Sequence, residues 1–185
     1  GTGFDIETAD LRGTPSTVGV TEITTVTAAH ASHTLSATAP GLVRINAALA
    51  NGSVIKLPAA SASNVGLYYK IIFEKTMAAA ASIRLPQGGT GNFEGCVTVE
   101  RCGSSGAGVA EHATAVRAIA VVPGASKQQI ALDENDVTFG GAIGTTLEFY
   151  YVSTTEVIVT GRILVNVATT AIDAVTGTTF TATGY

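Results

Sequence analysis

The residue types able to do chemistry are few in this chain and poorly spaced for it. Cys96 and Cys102 are its two cysteines, six apart in CVTVERC. That segment reads as a strand, and six extended residues span roughly 20 Å, whereas a disulfide needs Cα atoms roughly 4.4–6.8 Å apart. Both are therefore expected as unpaired, buried small apolar side chains in a protein that folds in a reducing compartment. His30 and His33 lie three apart in AAHASH. They would share a metal on a helix, but the Thr-, Ala- and Ser-rich flanks do not build one and no nearby carboxylate completes a site. His112 follows Glu111 in an expected loop and signals nothing further. Asp133, Glu134 and Asp136 cluster in LDENDVTF without the glycine and distal Glu of a calcium loop, so a solvated turn is expected.

The glycine-rich stretches fare no better. Gln87 to Phe93, QGGTGNF, lacks the Gly-Lys-Ser/Thr ending of a phosphate loop. Gly103 to Gly108, GSSGAG, has the wrong spacing for a nucleophile elbow. No nucleophile, base and orienting group assemble from the remainder. The expectation is a protein that is not an enzyme, with no catalytic residue, no cofactor and no metal.

The elements that would position any site are strands. In Gly66 to Glu74, Leu67, Tyr69, Ile71 and Phe73 share one face, and Lys70 and Glu74 lie opposite beside Tyr68 and Ile72. Thr145 to Ser153 repeats the alternation with Leu147, Phe149 and Tyr151. Glu156 to Val167 follows after the polar turn Ser153-Thr154-Thr155, which predicts a hairpin. Gly161 interrupts its apolar row, which predicts a bulge or bend. Shorter strands are expected over Thr17 to Thr27, Leu42 to Ala47, Val54 to Leu57, Ser82 to Leu85, Cys96 to Arg101 and Gln128 to Leu132. Turn clusters separate them, from Asn51-Gly52 and Gly88-Gly89 to Pro123-Gly124 and Gly140-Gly141. Ala78 to Ala81 is too short to hold a helix alone, and Glu111 to Val122 fits helix or strand equally. Ser53 to Pro58, SVIKLP, is echoed by Ser82 to Pro86, SIRLP. A solenoid needs three or more repeats; no third is found, and the echo is read as coincidence.

Many short alternating strands predict an all-β fold, an antiparallel β-sandwich of jelly-roll-like form. Residues 1–16 are expected as an extended N-terminal arm. Residues 17–185 form the single sandwich domain, with an extended C-terminal segment from about residue 168. The chain opens GTGFDIETADLRGTPST without Met, which reads as trimming or proteolytic maturation. Within that arm Phe4, Asp5, Ile6, Glu7, Asp10, Leu11 and Arg12 are the candidate interface residues, because charge is dense there for this sequence.

Composition narrows the function. Of 185 residues, 29 are Ala, 27 Thr and 21 Gly, and only 13% are charged, against about 25% in an ordinary soluble domain. Ten Lys and Arg against 14 Asp and Glu is the wrong balance for neutralising phosphates, so no nucleic-acid partner is expected. No apolar run reaches the roughly 18 residues of a spanning helix, so no membrane partner is expected either. A surface this poor in charge is expected to face other protein in a large assembly.

The order from Thr34 to Lys75 resembles tailed-phage capsid decoration (cement) and head-fibre proteins. The matching residues are Leu35, Gly41, Ile55, Leu57, Pro58, Gly66, Tyr69 and Ile71, and Gly144 to Gly161 is similar to that group's closing hairpin. Members usually carry Trp where this chain has Glu156 or Val157. The resemblance implies a virion structural protein on the outer capsid surface, folded in the host cytoplasm before assembly. It implies the major capsid protein as partner, and self-association as a homotrimer. A fibre-tip or receptor-binding module recognising a host glycan, through loops such as Gly88 to Glu94 and Gly103 to Gly108, is the second expectation. A major shell protein is the third.

Overall fold

A computed structural model describes residues 21–23, 32–77, 80–87, 89–101, 116–121, 127–132, 140–165 and 180–181. The interface residues expected in the arm, Phe4 to Arg12, lie outside the described residues. So do Cys102, His30, His112, the Asp133–Asp136 cluster, the Gly103–Gly108 loop and most of the C-terminal segment.

Within that frame the chain is built from strands. They are β1 (Thr21–Ile23), β2 (Ser32–Thr34), β3 (Gly41–Ile45), β4 (Ser53–Lys56), β5 (Tyr68–Phe73) and β6 (Ala81–Arg84). Then come β7 (Asn92–Arg101), β8 (Val116–Val121), β9 (Gln129–Leu132), β10 (Thr146–Tyr151), β11 (Glu156–Val165) and β12 (Phe180–Thr181). A short 3-10 turn spans Ala62–Asn64. The ambiguous 111–122 stretch thus contributes a strand, and Ala81 begins one. Among the described residues no helix is long and apolar enough to cross a membrane.

Two sheets form, ordered β1-β3-β5-β10-β11-β7-β8 and β12-β9-β6-β4-β2. The all-β architecture is as expected, but both sheets are mixed, and the antiparallel expectation holds for half of the strand pairings. β1–β3, β3–β5, β2–β4, β4–β6 and β11–β7 pair parallel. β10–β11, β10–β5, β6–β9, β7–β8 and β12–β9 pair antiparallel. The physical reason lies in the first six strands, which alternate between the sheets. Each return to a sheet lays the new strand beside the one before last, in the same direction. This is a coil, and it cannot give the antiparallel neighbours of a jelly roll.

The coil overturns the reading of the sequence echo as coincidence. β4 and β6 pair with Ile55 opposite Ile83 and Lys56 opposite Arg84. The Leu57 N–H continues the ladder by donating to the Arg84 carbonyl at 2.8 Å. The two sequence copies are therefore consecutive rungs of one winding. A third rung exists: His33 stands opposite Ile55, and the Leu35 N–H donates to the Lys56 carbonyl at 2.9 Å. Leu35, Leu57 and Leu85 line this ladder, each at most 5% exposed.

Four later strands, β7, β8, β10 and β11, complete the first sheet. β10 inserts between β5 and β11, and the predicted β10–β11 hairpin forms with Phe149 opposite Val159. β11 then runs parallel to β7 over ten residue pairs. Register continues unbroken through Gly161, which faces Leu147 on one side and Val97 on the other. No residue is bulged out there. Gly161 instead holds φ at +128°, and a Cβ would collide with the Thr146 carbonyl oxygen. Residues of both sheets join one apolar cluster, in which Tyr69, Ile71, Phe93, Phe149, Ile55 and Ile83 are essentially inaccessible. Each such side chain contributes about 1.5–3 kcal/mol through burial, and Phe93 and Phe149 add a tilted ring contact at 5.7 Å.

Candidate functional site

Alternation along β5, β10, β11 and β7 sends every second side chain away from the core. On that outer face Tyr68 stands opposite Tyr150 and Lys70 opposite Glu148. Tyr150 is in turn opposite Ile158, and Ile158 opposite Glu94. The rows run straight because none of these pairings slips register.

The upper end of this face is apolar and accessible. Among the described residues the large hydrophobic side chains that stay exposed are Val65, Ile143, Tyr150 and Val152. Three of the four meet here. The Gly66 N–H donates to the Tyr151 carbonyl at 2.8 Å and the Tyr151 N–H to the Leu67 carbonyl at 3.0 Å, which brings Val65 and Val152 to the same end. The Tyr68 and Tyr150 rings lie 5.0 Å apart, tilted by 38°. Beneath the surface two buried tyrosines fix the loops behind it. The Tyr69 hydroxyl donates to the Ser36 carbonyl and the Tyr151 hydroxyl to the Pro58 carbonyl, both at 2.8 Å.

The charges on this face form pairs. Lys70 Nζ lies 3.0 Å from Glu148 Oε1, and the Tyr150 hydroxyl donates to Glu148 Oε2. Arg44 grips Glu74 through Nε at 2.7 Å and Nη2 at 2.9 Å. Arg162 approaches Glu100 at 4.0 Å. Among the described residues Glu94 and Glu156 enter no ion pair.

Proton affinities follow from these contacts. The hydrogen bond from Tyr150, then the one from Lys70, holds the Glu148 carboxyl below the usual range. Hydrogen bonding to Glu148 pushes the Tyr150 hydroxyl up to about 12 and raises Lys70. Burial, and then the Glu148 charge, raises Tyr68. Near neutral pH the trio is carboxylate, phenol and ammonium, each held further from proton transfer than when alone. Such a cluster can bind and orient; it has no group poised to exchange a proton.

The second sheet carries a depression of about 160 Å³ lined by Ser82, Arg84, Gln129 and Ala131 among others. Arg84 Nε donates to Ser82 Oγ at 2.8 Å there. It is smaller than the roughly 300–1,000 Å³ of organic-ligand pockets. Among the described residues no three His, Cys, Asp or Glu side chains gather to hold a metal ion.

Cys96, expected to be buried, is exposed on the outer face of β7 and forms no disulfide. Its strand alternates, with Val97 and Val99 turned inward. The strand begins at Asn92 rather than Cys96, and with Val97 and Val99 in the core the alternation leaves Cys96 on the opposite, outer side. The outer-face cluster was missed as a site, although Tyr68 and Lys70 were placed together on one face. The signal available was an aromatic residue on the polar side of two apolar strands, Tyr68 on β5 and Tyr150 on β10.

Comparison with protein-family models, with curated proteins and with solved structures finds no match for this chain.

Proposed function

We propose that this chain is a virion structural protein: a capsid decoration protein that binds the outer surface of a tailed-phage capsid, as a trimer, and stabilises the shell. The observation that carries the reading is the accessible Val65, Tyr68, Tyr150 and Val152 end of the outer face, on a chain with only 13% charged residues. Exposed apolar patches rimmed by polar groups mark contact surfaces. The paired charges beside it suit binding rather than turnover. The eight residues of the family resemblance support it as structural positions. Leu35, Ile55, Leu57, Tyr69 and Ile71 are buried, Gly41 and Gly66 hold positive φ, and Pro58 accepts the Tyr151 hydroxyl. Copies arranged around a capsomer would add contacts by avidity, without new chemistry.

Quantitative mass spectrometry of density-purified virions, produced from the genome that encodes this chain, tests the reading. A fixed copy ratio to the major capsid protein, with density on the outer shell in particle images, is expected. Absence from capsids overturns it. Localisation to a fibre tip with glycan-array binding would favour the receptor-binding alternative, for which the Tyr68–Tyr150 ring pair on the outer face is the relevant observation.

A further inference from the structure

We infer that the Tyr68–Tyr150 end of the outer face docks a protein segment that presents an apolar anchor flanked by Lys or Arg side chains. The identity of the partner as capsid rests on the function proposed above; the chemistry demanded of it comes from the surface itself.

The outer face carries more carboxylates than its cations pair with. Three cations stand on the described outer face, Arg44, Lys70 and Arg162, and each lies beside a carboxylate: Glu74, Glu148 and Glu100. Glu94 and Glu156 are left without an ion pair among the described residues. Both flank the apolar end. Glu94 stands opposite Ile158 across β7 and β11, and Glu156 begins β11 where its carbonyl accepts the Val152 N–H at 3.2 Å. The exposed Tyr150 and Val152 thus sit inside an arc of Glu94, Glu148 and Glu156, of which Glu148 is paired with Lys70. An anchor entering between the tyrosine rings and Val152 would bring its neighbours against two uncompensated carboxylates. Basic neighbours complement that rim, and complementarity of this kind sets on-rate and partner choice.

The same charges argue against the other occupants. A second copy docking face to face would be isologous and would set one acidic rim against another. An anionic membrane surface attracts basic segments and would be repelled here.

The test uses the full chain and two isosteric changes at partly exposed strand positions, Glu94→Gln with Glu156→Gln. Binding to purified capsids lacking this chain is measured at low and at high salt. The double variant is expected to bind about fivefold more weakly at low salt, as for two exposed ion pairs. The difference should vanish at high salt, where screening removes it. Unchanged affinity at low salt overturns the inference and leaves the capsid reading standing. If the wild-type chain binds no capsid, the capsid reading falls, and a second probe decides the surface chemistry. That probe is a nine-residue peptide of alternating leucine and lysine, compared with its leucine and glutamate counterpart. Preference for the lysine peptide, with nuclear magnetic resonance shifts at Tyr68 and Tyr150 that the double variant reduces, supports the inference. Equal binding, or no binding, overturns it.

Discussion

At the scale of single residues, the tyrosines separate two roles that composition alone merges. Tyr150 is 38% exposed and takes part in the outer-face cluster, whereas Tyr69, its neighbour across the pleat, is inaccessible. Period-2 patterning placed Tyr69 in the core, but no sequence feature indicated where its hydroxyl would go. The hydroxyl donates to the Ser36 carbonyl at 2.8 Å, tying the β2–β3 loop to the middle of the sheet. Tyr69→Phe is expected to cost about 1 kcal/mol in urea denaturation, the usual net value of such a bond. Burial also pushes the Tyr69 hydroxyl up to about 12, from an ordinary value of 10. Between those limits the unfolded chain holds fewer protons than the folded one, so stability falls as pH rises through that window. The alkaline decline should be shallower in Tyr69→Phe, with Tyr150, Tyr68 and Lys70, all raised on folding, supplying what remains. Superimposable pH profiles for the two proteins would show that Tyr69 does not titrate differently on folding.

At the scale of elements, the coil explains what sequence made visible and what it hid. Alternation marked the strands, because a half-buried strand must alternate whatever it pairs with. Strand direction stayed hidden, because it depends on which sheet each loop crosses to, and small polar loops such as Ala59 to Asn64 carry no record of that. The repeat was half visible as IKLP and IRLP. Its first rung was obscured because His33 occupies the place that Ile55 and Ile83 fill in the next two. The spacing also changes, from 22 residues between His33 and Ile55 to 28 between Ile55 and Ile83. The substitution has a consequence for stability. His33 Nε2 is buried without a hydrogen-bond partner, and burial lowers the His33 pKa from its ordinary 6.5. Stability from this group is complete above about pH 6.5 and declines as pH falls below it, since the unfolded chain then binds the extra proton. His33→Ile, restoring the rung, is expected to stabilise by about 1 kcal/mol and to flatten the acid side of the profile. A destabilised variant with the acid decline intact would mean that His33 does not act as a rung residue. The candidate site was the least legible part: the interface residues expected in the arm lie outside the described residues. The outer-face cluster draws on four strands whose order in the sheet no local pattern records.

At the scale of the molecule, the winding makes the two halves of the chain depend on one another. The strands from β1 to β6 bury one row of each sheet but leave β5 and β6 as bare edges, unless β10 and β9 cover them. β10 lies in the middle of the seven-stranded sheet, antiparallel to β5 over five residue pairs, and β9 caps β6 over four. The apolar rows of Tyr69, Ile71 and Phe73 on β5 and of Ile83 and Leu85 on and just after β6 belong to a cluster that β7, β10 and β11 complete. A fragment ending at Gln87 would keep the coil's loop-closure cost while losing most of that cover. It is therefore expected to remain unfolded alone, without dispersed amide resonances. Mixing it with the fragment from Gly89 to Tyr185 should restore a single cooperative unfolding transition, because parallel and long-range pairings form only when both partners are present. The outer-face surface should return with it, since Tyr68 comes from the first piece and Tyr150, Ile158 and Glu94 from the second. Independent folding of the first fragment, shown by dispersed resonances and a cooperative urea transition of its own, would make the coil an autonomous unit. The surface would then have to be reassigned to contacts between two separate bodies.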